Sequence, residues 1–202
     1  GTLTWSDFQK NVDSNTIIPE GRFNSATLVY PDKSTKSYHK RALVPFGEKL
    51  PFIERFDVLQ NIFKKFAPEG FSFKLVPGNL ATVFSLEYED RKFHFATPIC
   101  FEGTVPEIVR NLVYQSGEKQ CDFLINISND GWFGRNHSQE AGWLERLHAR
   151  SARHRHLLTS VLRAVENRVP MIRAVNTGPS VLIDANGKIS EKVKYTEISS
   201  GK

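Results

Sequence analysis

Short stretches of this chain alternate apolar with polar residues, and longer ones repeat apolar residues at helical spacing. SATLVY (Ser25–Tyr30) is rich in strand formers. It is followed by the turn residues Pro31-Asp32-Lys33 and then by Ser37-Tyr38, which predicts a hairpin leading into Lys40. From Pro51 to Phe66 the residues Phe52, Ile53, Phe56, Val58, Leu59, Ile62 and Phe63 recur near the helical period, predicting a helix that ends before Pro68-Glu69-Gly70. Between Thr82 and Glu89, Phe84, Leu86 and Tyr88 alternate with Val83, Ser85 and Glu87. Glu89-Asp90-Arg91 reads as a turn and Lys92–Ile99 as the returning strand. Cys100 then falls at a strand end.

Thr104, with Glu107 three residues on, predicts the capping box of a helix through Val113. Phe123–Ile127 reads as a buried strand. A long helical pattern runs from Ser138 to about Asn167, stopped by Pro170. Met171–Val175 and Ser180–Ile183 follow as strands, and Asn186-Gly187 turns into Lys188-Ile189. Helices alternating with strands and tight hairpins predict a layered α/β fold, read as a single domain over residues 1–202 without internal repeats.

With 202 residues, 40% hydrophobic and 24% charged, the chain has material for a sizeable core. No run approaches the ~18–20 apolar residues of a membrane-spanning helix, and the first residues lack a signal-peptide pattern, so the chain as it stands reads as soluble. The net charge of +5 is modest and sits largely in LERLHARSARHRHLLTSVLRAVENR (Leu144–Arg168). That stretch reads as the solvated face of an amphipathic helix. As a binding surface it would suit phospholipid headgroups better than nucleic acid. Cys100 and Cys121 are too few for a disulfide framework and lack zinc spacing. Cys121 reads as an ordinary cysteine at the edge of the core, opening a strand. No phosphate loop, GxSxG elbow, HExxH or DNA-reading motif is present, so neither cofactor nor metal is expected.

Three segments can carry chemistry. Cys100, in PICFEG, lies between a strand and a helix, where backbone amides or a nearby lysine would favour a thiolate. On that feature alone, a buried structural thiol is the better reading. Lys40, in YHKRALVPFGEKLP, follows the hairpin, and the Pro45-Phe46-Gly47 turn should bring Glu48 back to the same end. Near a cysteine, such a lysine stabilises a thiolate and then an oxyanion; alone it reads as a surface residue. SNDGWFG (Ser128–Gly134) follows a strand and holds the aromatic pair Trp132-Phe133 in a loop, where open α/β sheets place their sites, or serves as a plain turn.

Taken together, these segments resemble the nitrilase or carbon–nitrogen hydrolase superfamily, and within it the apolipoprotein N-acyltransferases. YHKRALVPFGEKLP resembles the family's lysine segment, PICFE its cysteine elbow, SNDGWFG the loop after the next strand, and RAVENRVPMIRAVNTGPSVLIDANGKI the closing helix, strand and hairpin. The likeness runs over about residues 22–189. It implies a nitrilase-like α-β-β-α sandwich whose N-terminal part is missing from this sequence, and a Glu–Lys–Cys triad. Cys100 matches the nucleophile that takes an acyl chain from phospholipid as a thioester, Lys40 the oxyanion support, and Glu48 an additional carboxylate. Phe101, Glu102 and Trp132 match pocket positions. The acceptor it implies is the N-terminal cysteine amine of a lipoprotein. The location it implies is the outer face of a bacterial inner membrane, reached through segments absent here.

The sequence departs from the family pattern in two places. The triad glutamate normally follows a Pro-containing turn well upstream; Glu20, in IIPEGRFN, copies the pairing but stands too close to Lys40. The flanking membrane helices of the acyltransferases are also absent, as expected of a fragment. A soluble amidase using the same thioester, or a silent remnant keeping the fold, are the other readings.

Overall fold

A computed structural model of the chain describes residues 2–5, 8–10, 17–19, 22–45, 47–49, 75–133 and 142–193. They fall into two compact units, Gly1–Leu80 and Ala81–Lys202.

The first unit is built on strands β1 (Thr2–Trp5), β2 (Phe8–Lys10), β3 (Ile17–Pro19), β4 (Arg22–Val29) and β5 (Thr35–His39). The predicted hairpin is β4–β5. Its first strand starts three residues earlier than its composition suggested, because β1 pairs antiparallel with Arg22 to Ser25. The turn is made by Asp32, whose Oδ1 accepts from the amide and hydroxyl of Ser34, while Lys33 takes the left-handed backbone at φ 67°. β2 and β3 form a separate two-stranded ribbon. Past β5 the ladder runs one residue further, since the Lys40 amide donates to the Asn24 carbonyl at 2.8 Å. On its other side Gly78 donates to the Lys40 carbonyl. A Cβ at Gly78 would overlap the His39 carbonyl, so a glycine is required for this close approach. The helix expected over Pro51–Phe66, and Glu20, lie outside the described residues.

The second unit is a six-stranded mixed sheet. It contains β6 (Phe84–Tyr88), β7 (Arg91–Ala96), β10 (Phe123–Ser128), β11 (Met171–Val175), β12 (Ser180–Ile183) and β13 (Ile189–Val193), in the order β13-β12-β11-β10-β7-β6. A small ribbon, β8 (Tyr114–Gln115) with β9 (Glu118–Lys119), stands apart. β7, β10 and β11 are mutually parallel. They are linked by the crossover helices α1 (Pro106–Val113) and α2 (Trp143–Asn167). Met171 and Arg173 of β11 are buried on the side where α2 packs, with Leu124, Asn126 and Ser128 of β10 beside them. The middle of the opposite face is mostly apolar. Phe84, Phe95 and Phe123 stack at 5.2 Å between successive rings, and Ile172 pairs with Leu182, both over a third exposed. A face of that composition calls for a second layer.

Three expectations need correction. α1 has no capping box: its N-cap is Val105, followed by Pro106, whose ring fixes the first helical φ, and the Thr104 hydroxyl instead donates to the Phe101 carbonyl. Cys121 precedes its strand by two residues and is buried, its thiol donating to the Leu112 carbonyl at 3.3 Å. The basic stretch of α2 is not simply a solvated face. Arg153, His156 and Arg163 are buried, while leucines stand on the outside.

Candidate active site

In the first unit, Lys40 and Glu48 form a buried ion pair, with Nζ and Oε2 2.7 Å apart. The turn from Val44 returns Glu48 to the strand end, since the amides of Gly47 and Glu48 both donate to the Val44 carbonyl. Glu48 Oε2 also accepts from the Val44 amide at 2.8 Å, and its Oε1 accepts from Asn24 Nδ2 at 2.9 Å. Three donors therefore hold one carboxylate, and that carboxylate holds the ammonium. Lys40 is not a surface residue. Asn24 escaped the sequence reading because its role depends on the pairing of β4 with β5. Next to it, Ser25 Oγ meets Nδ1 of His39 at 2.7 Å, and the His39 ring stacks on Phe23.

In the second unit, Cys100 stands just past β7, where Ile99 bridges to Ile127 at the end of β10. Its backbone takes φ 50°, a left-handed conformation uncommon for any residue but glycine, and it opens the 3-10 turn Cys100–Thr104. Two contacts fix this elbow. Glu102, wholly buried, accepts from the Ile99 amide at 2.8 Å, and Asn126 donates to the Pro98 carbonyl at 3.0 Å. The thiol is half-buried and free of disulfide, and Phe101 beside it is also half-buried. Cys121 differs: burial, with Asp122 nearby, pushes its thiol up to about 12, which keeps it protonated and inert.

Behind the elbow lies a buried polar cluster. His156, on the inner face of α2, presents Nδ1 to Asp130 Oδ1 at 2.9 Å and Nε2 to the Cys100 carbonyl oxygen at 3.4 Å. Arg173 Nη2 donates to Asp130 Oδ2 at 2.6 Å, and Ser128 Oγ donates to Oδ1 at 2.7 Å. Burial would raise the Asp130 pKa, but hydrogen bonds from His156 and Arg173, the Arg173 charge and the Ser128 hydroxyl outweigh it and hold the carboxyl at about 2. The Asp130 amide donates to Asn176 Oδ1, which ties the Ser128–Phe133 loop to the turn after β11. Trp132 lies in the 3-10 turn Asp130–Phe133, and its side chain falls outside the described residues, as does Gly134. Phe133 meets the His156 ring edge-on.

Cys100, Ser128–Asp130 and Asn176 thus collect at the carboxyl ends of the three parallel strands, where such sheets place their sites. In the second unit a half-buried thiol on a positive-φ elbow has the chemistry of a nucleophile; in the first, a buried ammonium on a fixed carboxylate has the chemistry to stabilise negative charge. Among the described residues no group of three or more His, Cys, Asp or Glu side chains is arranged to hold a metal ion.

A family model for carbon–nitrogen hydrolases matches residues 7–199. The chain is 33% identical over 191 residues to apolipoprotein N-acyltransferase 2 of Treponema denticola, covering 94% of this chain and 32% of that protein. It is 38% identical over 168 residues to the apolipoprotein N-acyltransferase of Geobacter metallireducens, covering 82% and 27%. The chain therefore spans about a third or less of the length of these relatives. Among solved structures it is similar to a carbon–nitrogen hydrolase superfamily protein of Xanthomonas campestris, with TM-score 0.54 and 18% identity over 88% of this chain and 55% of that one. A carbon–nitrogen hydrolase of Helicobacter pylori G27 gives TM-score 0.54 at 17% identity over 93% and 56%. These likenesses show the nitrilase-like α/β fold expected from the sequence.

Proposed function

We propose, from the premise that this chain belongs to the carbon–nitrogen hydrolase family, that it is the catalytic portion of an N-acyltransferase acting in lipoprotein biosynthesis. The observation that carries the proposal is its 33–38% identity to apolipoprotein N-acyltransferases across four-fifths or more of its length. The half-buried Cys100 thiol on its positive-φ elbow supplies a nucleophile suited to that chemistry.

The Cys100 thiolate attacks the ester carbonyl of a phospholipid, forming the C–S bond and an oxyanion. The oxyanion collapses, the C–O bond breaks, and the lysophospholipid alkoxide leaves with a proton. The amine of a lipoprotein's N-terminal cysteine then attacks the thioester, forming the amide and releasing Cys100. Lys40 supports the oxyanion, and Glu48, held by Asn24 and the Val44 amide, keeps that ammonium in one place. Phe101 and Trp132 are assigned to the acyl pocket, whereas Glu102, wholly buried against the Ile99 amide, holds the elbow and does not face substrate. The carboxylate that moves the protons is assigned to the family's glutamate on an upstream strand end.

The phospholipid donor has support on α2. Leu144, Leu147, Leu158 and Leu162 stand about half exposed along its outer ridge, with Trp143 73% exposed at its start. Arg146, Arg150, Arg155, His148 and His154 are exposed among them. Apolar side chains among cations suit the interface of an anionic bilayer. The amidase reading shares the carbon–nitrogen hydrolase family match, but the amidase it resembles in fold is only 18% identical, against 33–38% for the acyltransferases.

The test supplies phospholipid vesicles and a peptide with a diacylglyceryl N-terminal cysteine. One acyl mass gained on the peptide's α-amine supports the transferase. Fatty acid released to water, with the peptide unchanged, supports a hydrolase instead.

A further inference from the structure

The Cys100 carbonyl and the Phe101 amide are two ends of one peptide group, and the carbonyl end is not left to solvent. His156 Nε2 faces it at 3.4 Å, and the ring is fixed from behind by Asp130, itself gripped by Arg173 and Ser128. Nδ1 faces both Asp130 Oδ1 and, at 3.2 Å, Arg173 Nη2, while Nε2 has the Cys100 carbonyl as its acceptor, so the contact is made by the ring with its proton on Nε2. Arg173 and Asp130 are wholly inaccessible and His156 nearly so. Burying charged groups is costly unless geometry and hydrogen bonds compensate. Three segments far apart in sequence supply that compensation around one carbonyl, which packing alone does not require.

We propose that His156 is a positioning residue for the thioester chemistry, an inference that rests on Cys100 being the nucleophile. By hydrogen-bonding the Cys100 carbonyl it holds the left-handed elbow that aims the thiol. Through the shared peptide group it also polarises the Phe101 N–H, since a hydrogen bond at one end of an amide strengthens the donor at the other. At a sharp turn leading from a strand into a helix, the amide after the nucleophile is one of the donors that can face an oxyanion on the attacked carbon. Asp130 and Arg173 act one step further back, by keeping the imidazole in its orientation.

Two variants separate this role from core packing. In His156→Asn the amide can keep a partner at Asp130 but cannot reach the Cys100 carbonyl; in His156→Gln the amide nitrogen falls near the place of Nε2 and keeps that contact. The full chain is acylated with a p-nitrophenyl ester carrying a carbon-13 carbonyl, which releases p-nitrophenolate, and the adduct is mapped by mass. The thioester carbonyl stretch is then read by isotope-edited infrared spectroscopy. The expected result is a band at higher wavenumber in H156N than in the unsubstituted protein, with acylation about ten-fold slower, short of the roughly 10²–10³-fold cost of deleting an oxyanion donor. H156Q restores both. An unshifted band in folded H156N, or H156Q behaving as H156N, overturns the role of His156 while leaving Cys100 as nucleophile. An unsubstituted protein with no adduct on Cys100 overturns the nucleophile and this inference together. Should H156N fail to fold, the carbon-13 shift of the Cys100 carbonyl in the unsubstituted protein decides. A hydrogen-bonded value supports the contact and a free value overturns it.

Discussion

Lys40 and Glu48, eight residues apart, meet as a buried pair at 2.7 Å, but the two partners are not held equally. Glu48 also receives Asn24 Nδ2 and the Val44 amide, so removing Lys40 leaves a carboxylate with two donors. Removing Glu48 strips the buried ammonium of its carboxylate and orphans both other donors. Breaking a buried pair from one side costs about 3–5 kcal/mol. Glu48→Ala is expected in that range, and Lys40→Met clearly below it, by urea unfolding at neutral pH. Equal losses would contradict the unequal hold on the two partners.

Asp130 links stability to pH. Its folded pKa, about 2, lies below the ordinary carboxylate value, so its contribution is fully present above about pH 4 and is lost as pH falls through about 2. Unfolding free energy should decline across that window by on the order of 2 kcal/mol more in the unsubstituted protein than in Asp130→Asn. Parallel pH profiles for the two would remove Asp130 as the source.

The two thiols should differ in reactivity. Native protein treated with iodoacetamide is expected to label at the half-buried Cys100, while the buried, protonated Cys121 reacts only on unfolding. Peptide mapping before and after adding denaturant checks this, and native labelling at Cys121 would contradict it.

The outer ridge of α2 gives a vesicle-binding prediction. Leu144→Ser with Leu147→Ser should weaken sedimentation with anionic phospholipid vesicles by about ten-fold or more, since each leucine removed forfeits on the order of 1 kcal/mol of apolar transfer. Binding unchanged by both substitutions, or equal on neutral vesicles, would contradict an interfacial role for this ridge.

Much of this was legible in the sequence where the physics is local. The β4–β5 hairpin announced itself through Pro31-Asp32, the returning Glu48 through a tight turn, and the elbow through a cysteine shortly after a strand. That strand ends at Ala96, and only an isolated bridge at Ile99 carries the pairing to the predicted end. The capping box failed because Pro106 presets the helix start and the Thr104 hydroxyl is used elsewhere. The cluster behind Cys100 was missed because its members lie 26 and 43 positions apart and because charges in a helix read as solvated. The signal was nonetheless there. Ala149, Arg153, His156, Ser160, Ala164 and Asn167 recur at helical spacing, so the period alone sets Arg153 and His156 on the same face as the alanines.

The carboxylate assigned upstream predicts a rate difference. Acylation of Cys100 by phospholipid should be slower in this chain than in a polypeptide extended to carry that glutamate, by on the order of 10²–10⁴-fold. Equal rates would show that the base lies within these residues.

The central claim is the thioester on Cys100, and mass mapping after reaction with phospholipid tests it most directly. The account predicts one acyl group on the peptide containing Cys100, released by neutral hydroxylamine and absent from Cys100→Ala. Acyl transfer to a peptide acceptor that persists in Cys100→Ala, or acyl found on another residue, would contradict it.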